Sequence, residues 1–122
     1  MMEEKKMTVE DVLKTMEEKL GEEPRAMVLM SKLIPEMIPK HAQDMKFVME
    51  LPHIPPKYKQ LMMIGITAAV GSRHCTENQI KLARRAGVSK EEIAEALITA
   101  RFTLAATVVV TATEGMEYLV AE

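Results

Sequence analysis

The chain has 122 residues, a formal net charge of −2, 48% apolar residues and 28% charged residues. This length and composition are typical of one globular domain, and we expect residues 1–122 to form a single domain. The low net charge gives no general attraction to phosphate, and the two Phe and two Tyr give no stacking platform. We therefore expect no nucleic-acid partner. The single cysteine, Cys75, excludes an intramolecular disulfide and a cysteine-based zinc site.

The charged N-terminus, Met1 to Lys6, has no apolar stretch behind it and does not resemble a secretory signal. A free thiol is typical of a reducing compartment, so we expect a cytoplasmic protein. The three histidines are isolated and have no carboxylates at a metal-binding spacing. We expect no metal and no other cofactor.

The first half of the chain shows three helical patterns, which glycine and proline separate. Thr8 and Asp11 have a capping-box spacing, and Gly21 ends the acidic helix that they begin. Pro35 and Pro39 break or kink the pattern that follows, because proline removes a backbone donor and clashes with the preceding turn. The second and third helices are predicted over residues 25–33 and about 40–51.

The second half continues the helical pattern. Gly71 follows the fourth predicted helix, and Ser89 and Glu92 have the spacing of a capping box at the start of the last one. That last helix contains several threonines and is expected to break near 103–107. No second strand is available to pair with any run of β-branched residues, so the predicted fold class is all-α. The predicted boundaries are 57–70, 72 or 76 to 86, and 89 to about 120.

The segment Leu97–Ala112 is mostly apolar but contains Arg101 and four threonines. A bilayer span needs about 20 predominantly apolar residues, so we interpret the segment as a deeply buried helix and expect no membrane partner. A helix that is apolar nearly all round needs cover on more than one side. In so small a protein, this favours an oligomer.

The segment that best fits a reactive site is Ser72-Arg73-His74-Cys75, which follows a glycine and begins a helix. A helix N-terminus has unpaired N–H groups and the positive end of the helix dipole, and both stabilise a thiolate. Arg73 and His74 would add to this effect, and His74 could move a proton near neutral pH. The alternative interpretation is that Cys75 is a small buried apolar residue.

Three blocks of sequence, at 57–66, 72–75 and 82–97, carry a resemblance to a known family. The last block, LARRAGVSKEEIAEAL, is the most specific, with a helix, a tight turn and a capped helix. Through these blocks, the stretch from about 24 to 117 resembles the carboxymuconolactone decarboxylase and alkylhydroperoxidase D-like superfamily. The resemblance implies an orthogonal bundle of about six helices over residues 1–122, with an acidic helix in 1–23 and the family core at about 24–117. It also implies homotrimers or hexamers that form through the C-terminal helices.

The redox branch of this superfamily has the motif Glu-x11-Cys-x-His-Cys-x3-His, in which two cysteines form a reducible disulfide. This sequence keeps two of the five positions, His74 and Cys75, and replaces the others with polar residues. Because one cysteine is missing, an intramolecular dithiol mechanism is excluded. Glutamine can donate and accept hydrogen bonds but does not transfer protons as Glu and His do. The replaced positions are Gln60, Ser72 and Gln79.

Three functions stay open at this point. The first is a peroxidase in which Cys75 is the nucleophile, His74 its proton partner, and Ser72, Gln60 and Gln79 polar support. A peroxide substrate would oxidise Cys75, and an external thiol or Cys75 of another subunit would reduce it.

The second function is a decarboxylase-type acid–base enzyme for a small carboxylated lactone. Arg73, His74 and Arg101 could then bind the anion. The third is an oligomeric binding or scaffold protein that has lost catalysis.

Overall fold

A computed structural model describes residues 8–122, which form seven α-helices and no β-strand. The all-α prediction is confirmed. One helix more than the expected six results because the C-terminal segment is divided in two. The helices are α1 Val9–Leu20, α2 Arg25–Leu33, α3 Met37–Glu50, α4 Pro56–Ala69, α5 Arg73–Arg85, α6 Lys90–Thr111 and α7 Thr113–Ala121.

Most predicted helix boundaries are correct to within one or two residues, and two are not. Helix α3 begins at Met37, three residues earlier than predicted, because Pro39 lies in the first turn, where no intrahelical N–H donor is needed. The C-terminal break lies at Ala112 and not near 103–107. The hydroxyls of Thr103 and Thr107 donate to carbonyls of the preceding turn, so these threonines are satisfied within the helix.

The chain divides into two compact units, with the division between Lys59 and Gln60 inside α4. The prediction of a single domain stays a prediction. In the first unit α1, α2 and α3 pack on one another around buried Val12, Leu20 and Ile38. The predicted capping box at the start of α1 is present, and Gly21 ends that helix in the left-handed conformation.

The second unit has its own core, which forms where α4, α5 and the start of α6 meet. Its buried residues are Ile64, Ala83, Val88 and Ile93. The turn between α5 and α6 contributes to this core because Gly87, at φ +98°, reverses the chain and returns Val88 onto the end of α5. Leu61, Ile80 and Leu97 pack against this core at its margin.

The C-terminal apolar segment is exposed within its own chain, contrary to the expectation of a deeply buried helix. Every residue from Arg101 to Glu122 is exposed, including Phe102 at 73% and Val108 at 69%. The N-terminal part of α6 reaches the core through Ile93 and Leu97, and no residue from 8 to 122 buries the helix from Arg101 onward. Among the described helices, α6 is long and apolar enough to cross a membrane by length and composition.

Candidate functional site

The turn between α4 and α5 fixes where the candidate site begins. Gly71 has φ +77°, a left-handed conformation that glycine adopts without steric cost. The Gly71 N–H donates to the Ala68 carbonyl at 3.1 Å, and the Ser72 N–H donates to the Thr67 carbonyl at 3.0 Å. These two bonds form a Schellman motif at the end of α4. Ser72 is therefore the last residue of one turn and the N-cap of the next helix.

The start of α5 has no side-chain cap. Ser72 occupies the N-cap position, but its hydroxyl accepts no hydrogen bond from the helix, and the first turn contains no acidic residue. The first-turn N–H groups and the positive end of the helix dipole are therefore not satisfied by a side chain of this helix. Cys75 is the third residue of this turn.

Cys75 is a free, exposed cysteine, so the alternative of a small buried apolar residue does not describe it. Ser72, Cys75 and Gln79 are spaced by three and four residues, and this spacing places them along one edge of α5. Ser72 and Gln79 are half-buried. The edge combines an accessible thiol, a hydroxyl and an amide next to a helix N-terminus, an arrangement that can stabilise a thiolate.

His74 is exposed and forms its side-chain contact with Asn78, one turn further along α5. The two side chains are 3.2 Å apart, from His74 Nε2 to Asn78 Nδ2. Because an amide nitrogen only donates, Nε2 is the acceptor where this contact is a hydrogen bond. No hydrogen bond joins His74 to Cys75 in the part of the chain that the structure describes. Adjacent helical residues point in different directions, and this explains the separation.

An open cleft of about 580 Å³ lies along the side of α5 that carries Arg73, Glu77 and Lys81. Its rim carries an ion pair in which Lys81 Nζ lies 3.0 Å from Glu77 Oε1. This hydrogen bond and the charge of Lys81 lower the pKa of Glu77, and His74 adds a smaller effect in the same direction. The lining consists of Ala68, Gly71 and Ser72 from the turn region and Arg73, Thr76, Glu77, Ile80 and Lys81 from α5.

The predicted site residues do not all meet in one place. Arg73 lines the cleft together with Ser72, whereas Cys75, His74 and Gln79 are not part of its lining. Gln60 is half-buried in α4, and Arg101 is exposed in the middle of α6. Among residues 8–122, no group of three or more His, Cys, Asp or Glu side chains could hold a metal ion.

Lys59 was not among the residues predicted from the sequence; it neighbours Gln60 and is only 7% exposed. Its Nζ donates to three carbonyls at the end of α3, those of Val48 at 2.7 Å, Met49 at 3.3 Å and Leu51 at 2.7 Å. A cation at the negative end of a helix, with all its donors satisfied, stabilises both partners. The sequence signal was that the last turn of α3 contains no basic residue of its own.

The fold and the site define a class of protein: an all-helical chain with an exposed cysteine at the start of a helix that follows a glycine turn. The chain belongs to the carboxymuconolactone decarboxylase family, whose model matches residues 36–117, about two thirds of the sequence. This range contains α3 to α6 and the whole candidate site, and it confirms the resemblance. No curated protein matches the chain.

Proposed function

We propose that this member of the family is a cytoplasmic, thiol-dependent peroxidase that uses Cys75 as its only redox centre. The observation that carries the proposal is the exposed thiol in the uncapped first turn of α5. A thiolate is the nucleophilic form of cysteine, and a helix N-terminus favours it. Membership of the family places the protein in a superfamily that has both peroxidase and decarboxylase branches, and it does not distinguish between these two chemistries.

The reaction balances with an organic hydroperoxide as oxidant and an external thiol as reductant. The Cys75 thiolate attacks the terminal peroxide oxygen, the O–O bond breaks, and the alkoxide takes a proton and leaves as the alcohol. Cys75 is then a sulfenic acid. A small thiol attacks its sulfur and releases water, and a second thiol displaces Cys75 from the mixed disulfide as a thiol.

The neighbouring residues have supporting roles in this proposal. His74 exchanges protons with the reacting groups through solvent, because its ring and the Cys75 thiol are both exposed and not hydrogen-bonded to each other. Ser72 and Gln79 lie on the same edge of α5 as Cys75 and provide hydrogen-bonding groups beside the reacting sulfur, with Gln60 as a further polar residue.

The test is hydroperoxide consumption with a small-molecule thiol donor in purified full-length protein. Cys75→Ser should reduce turnover by at least about 100-fold, since serine has no comparable nucleophilicity at neutral pH. His74→Ala should reduce it by a smaller factor. A matched control is Ser31→Ala, which removes a hydroxyl of α2 in the other compact unit. Unchanged turnover in Cys75→Ser would contradict the proposal.

The family name favours one other function, decarboxylation of a small carboxylated lactone, with Arg73, His74 and Arg101 as anion-binding groups. In that case Cys75→Ser retains the activity and His74→Ala loses it. A purely structural oligomer would show neither activity and no change in Cys75 reactivity on folding. The same two variants therefore separate the two enzymatic functions, and a wild-type protein without either activity indicates the third.

The protein acts as a homo-oligomer in this proposal, a trimer or a hexamer. The supporting observation is the exposure of the apolar side chains from Phe102 of α6 to Val120 of α7, since monomeric proteins rarely expose large contiguous apolar patches. Light scattering on the purified protein should give a trimer or a hexamer. Val108→Glu should dissociate it, whereas Phe47→Glu, an equally exposed position on α3, should not. A monomeric wild-type protein, or one found on lipid vesicles, would contradict this assembly.

A further inference from the structure

We infer that the cleft along the Arg73 edge of α5 is a binding site for a small amphipathic carboxylate, separate from the Cys75 thiol. The walls of the cleft are mostly hydrocarbon, and Ala68 and Ile80 contribute to them. Its volume of about 580 Å³ lies in the range of small-molecule sites. Such a lining suits the apolar body of a ligand better than a hydrated inorganic anion.

The charges around the cleft indicate which polar head group the ligand carries. Arg73 makes no hydrogen bond and no ion pair with any residue from 8 to 122, so its guanidinium is available to a ligand. The carboxylate of Glu77, which would repel an anion, is held by Lys81 at 3.0 Å. The cation without a partner therefore determines the charge that the cleft accepts. Guanidinium binds carboxylate through two parallel hydrogen bonds, a geometry that favours a carboxylate head group.

The threonine hydroxyl in the lining of the cleft is already hydrogen-bonded. The hydroxyl of Thr76 donates to the Ser72 carbonyl at 2.7 Å and lies 3.2 Å from the Thr67 hydroxyl. No buried side-chain nitrogen or oxygen in the described part of the chain lacks a partner. The ligand therefore needs one charged head, which the Arg73 guanidinium binds and which can also accept from the Ser72 hydroxyl. A straight-chain fatty acid of about six carbons is the simplest molecule of this kind.

The experiment is a titration of the full-length protein with hexanoate, followed by backbone amide chemical shifts. We expect saturable shifts at Ala68, Gly71, Arg73 and Ile80, with millimolar affinity because the cleft is open. Hexanol lacks the charge and acetate lacks the apolar body, so each should bind at least about tenfold more weakly. Cys75→Ser should bind hexanoate like the wild type, so this result does not depend on the peroxidase proposal.

Two variants make the inference specific. Arg73→Gln should weaken hexanoate binding by about tenfold or more, whereas Arg25→Gln, at the exposed start of α2, should not change it. Ala68→Leu should also weaken binding because it fills the apolar wall. Equal binding of acetate and hexanoate, shifts outside the cleft, or unchanged affinity in Arg73→Gln would overturn the inference.

Discussion

The starts of α5 and α6 have similar sequences, but only α6 is capped by a side chain. Each follows a helix that ends at a left-handed glycine, and each has serine at its N-cap. At α6 the Ser89 hydroxyl accepts from the Glu92 N–H and the Glu92 carboxylate accepts from the Ser89 N–H, both at 3.1 Å. At α5 the Ser72 hydroxyl accepts nothing from the helix.

The difference in capping follows from the length of the turn, which is one residue shorter before α5 than before α6. Between Gly87 and the α6 cap stands Val88, whose N–H closes the preceding helix by donating to the Ala83 carbonyl. Gly71 is followed directly by Ser72, so the Ser72 N–H is already used to close α4. Its backbone ψ of 92° also differs from the 156° of Ser89. A shorter turn therefore leaves the helix start open at the position where Cys75 lies.

The largest effect is expected at the C-terminal end of α3, where a side chain of α4 binds the carbonyls that have no partner within the helix. Lys59→Met keeps the apolar stem of Lys59 and removes three hydrogen bonds from its ammonium group. We expect the free energy of unfolding to fall by about 2–4 kcal/mol in a urea titration. Lys46→Met, at an exposed position of α3, should change it by less than about 0.5 kcal/mol. Equal effects would mean that the Lys59 bonds contribute little.

The capping difference itself predicts unequal effects of one substitution. Ser89→Ala should reduce the free energy of unfolding by about 1 kcal/mol, because it breaks the capping box. Ser72→Ala should change it by less than about 0.5 kcal/mol, because its hydroxyl makes no capping bond. Both values come from the same urea titration, and a larger loss for Ser72→Ala would show that α5 is capped after all.

Substitution of glycine by alanine should change the free energy of unfolding in opposite directions at two positions. Gly87→Ala should destabilise the protein by about 1 kcal/mol, because alanine is strained at φ +98°. Gly65→Ala, inside α4, should stabilise it by about 0.5–1 kcal/mol. A new Cβ there would meet the Ala100 Cβ at 3.7 Å, an ordinary van der Waals contact. Thermal unfolding of both variants checks the signs, and a destabilised Gly65→Ala would show that α4 and α6 are closer than described.

The sequence predicts the helices well because their signals are local. Thr8 with Asp11 and Ser89 with Glu92 are capping boxes that need only residues three apart, and both are present. The position of Cys75 in the first turn of α5 was also predictable. The three carbonyls around Lys59 were not, because they depend on how the connector between α3 and α4 folds. The cleft beside Arg73 was missed because it depends on packing between α4 and α5.

The smallest effect concerns the ion pair on the rim of the cleft. Lys81 lowers the pKa of Glu77 below its ordinary value near 4.5 in the folded protein. The stabilisation from this pair is therefore complete above about pH 4.5 and is lost as the pH falls through the lower, folded-state pKa. The difference in unfolding free energy between wild type and Glu77→Gln should be small at pH 7, since both side chains reach solvent, and should vanish in acid. A difference that grows in acid would contradict this sign.

The most direct test of the central claim is the rate of Cys75 alkylation by iodoacetamide at pH 7. The folded protein is compared with an unstructured peptide of residues 70–80, which keeps Arg73 and His74 but has no stable helix start. The exposed thiol at the open start of α5 predicts a rate at least about tenfold faster in the protein than in the peptide. Equal rates, or a slower rate in the protein, would contradict a reactive thiol at the helix start of α5.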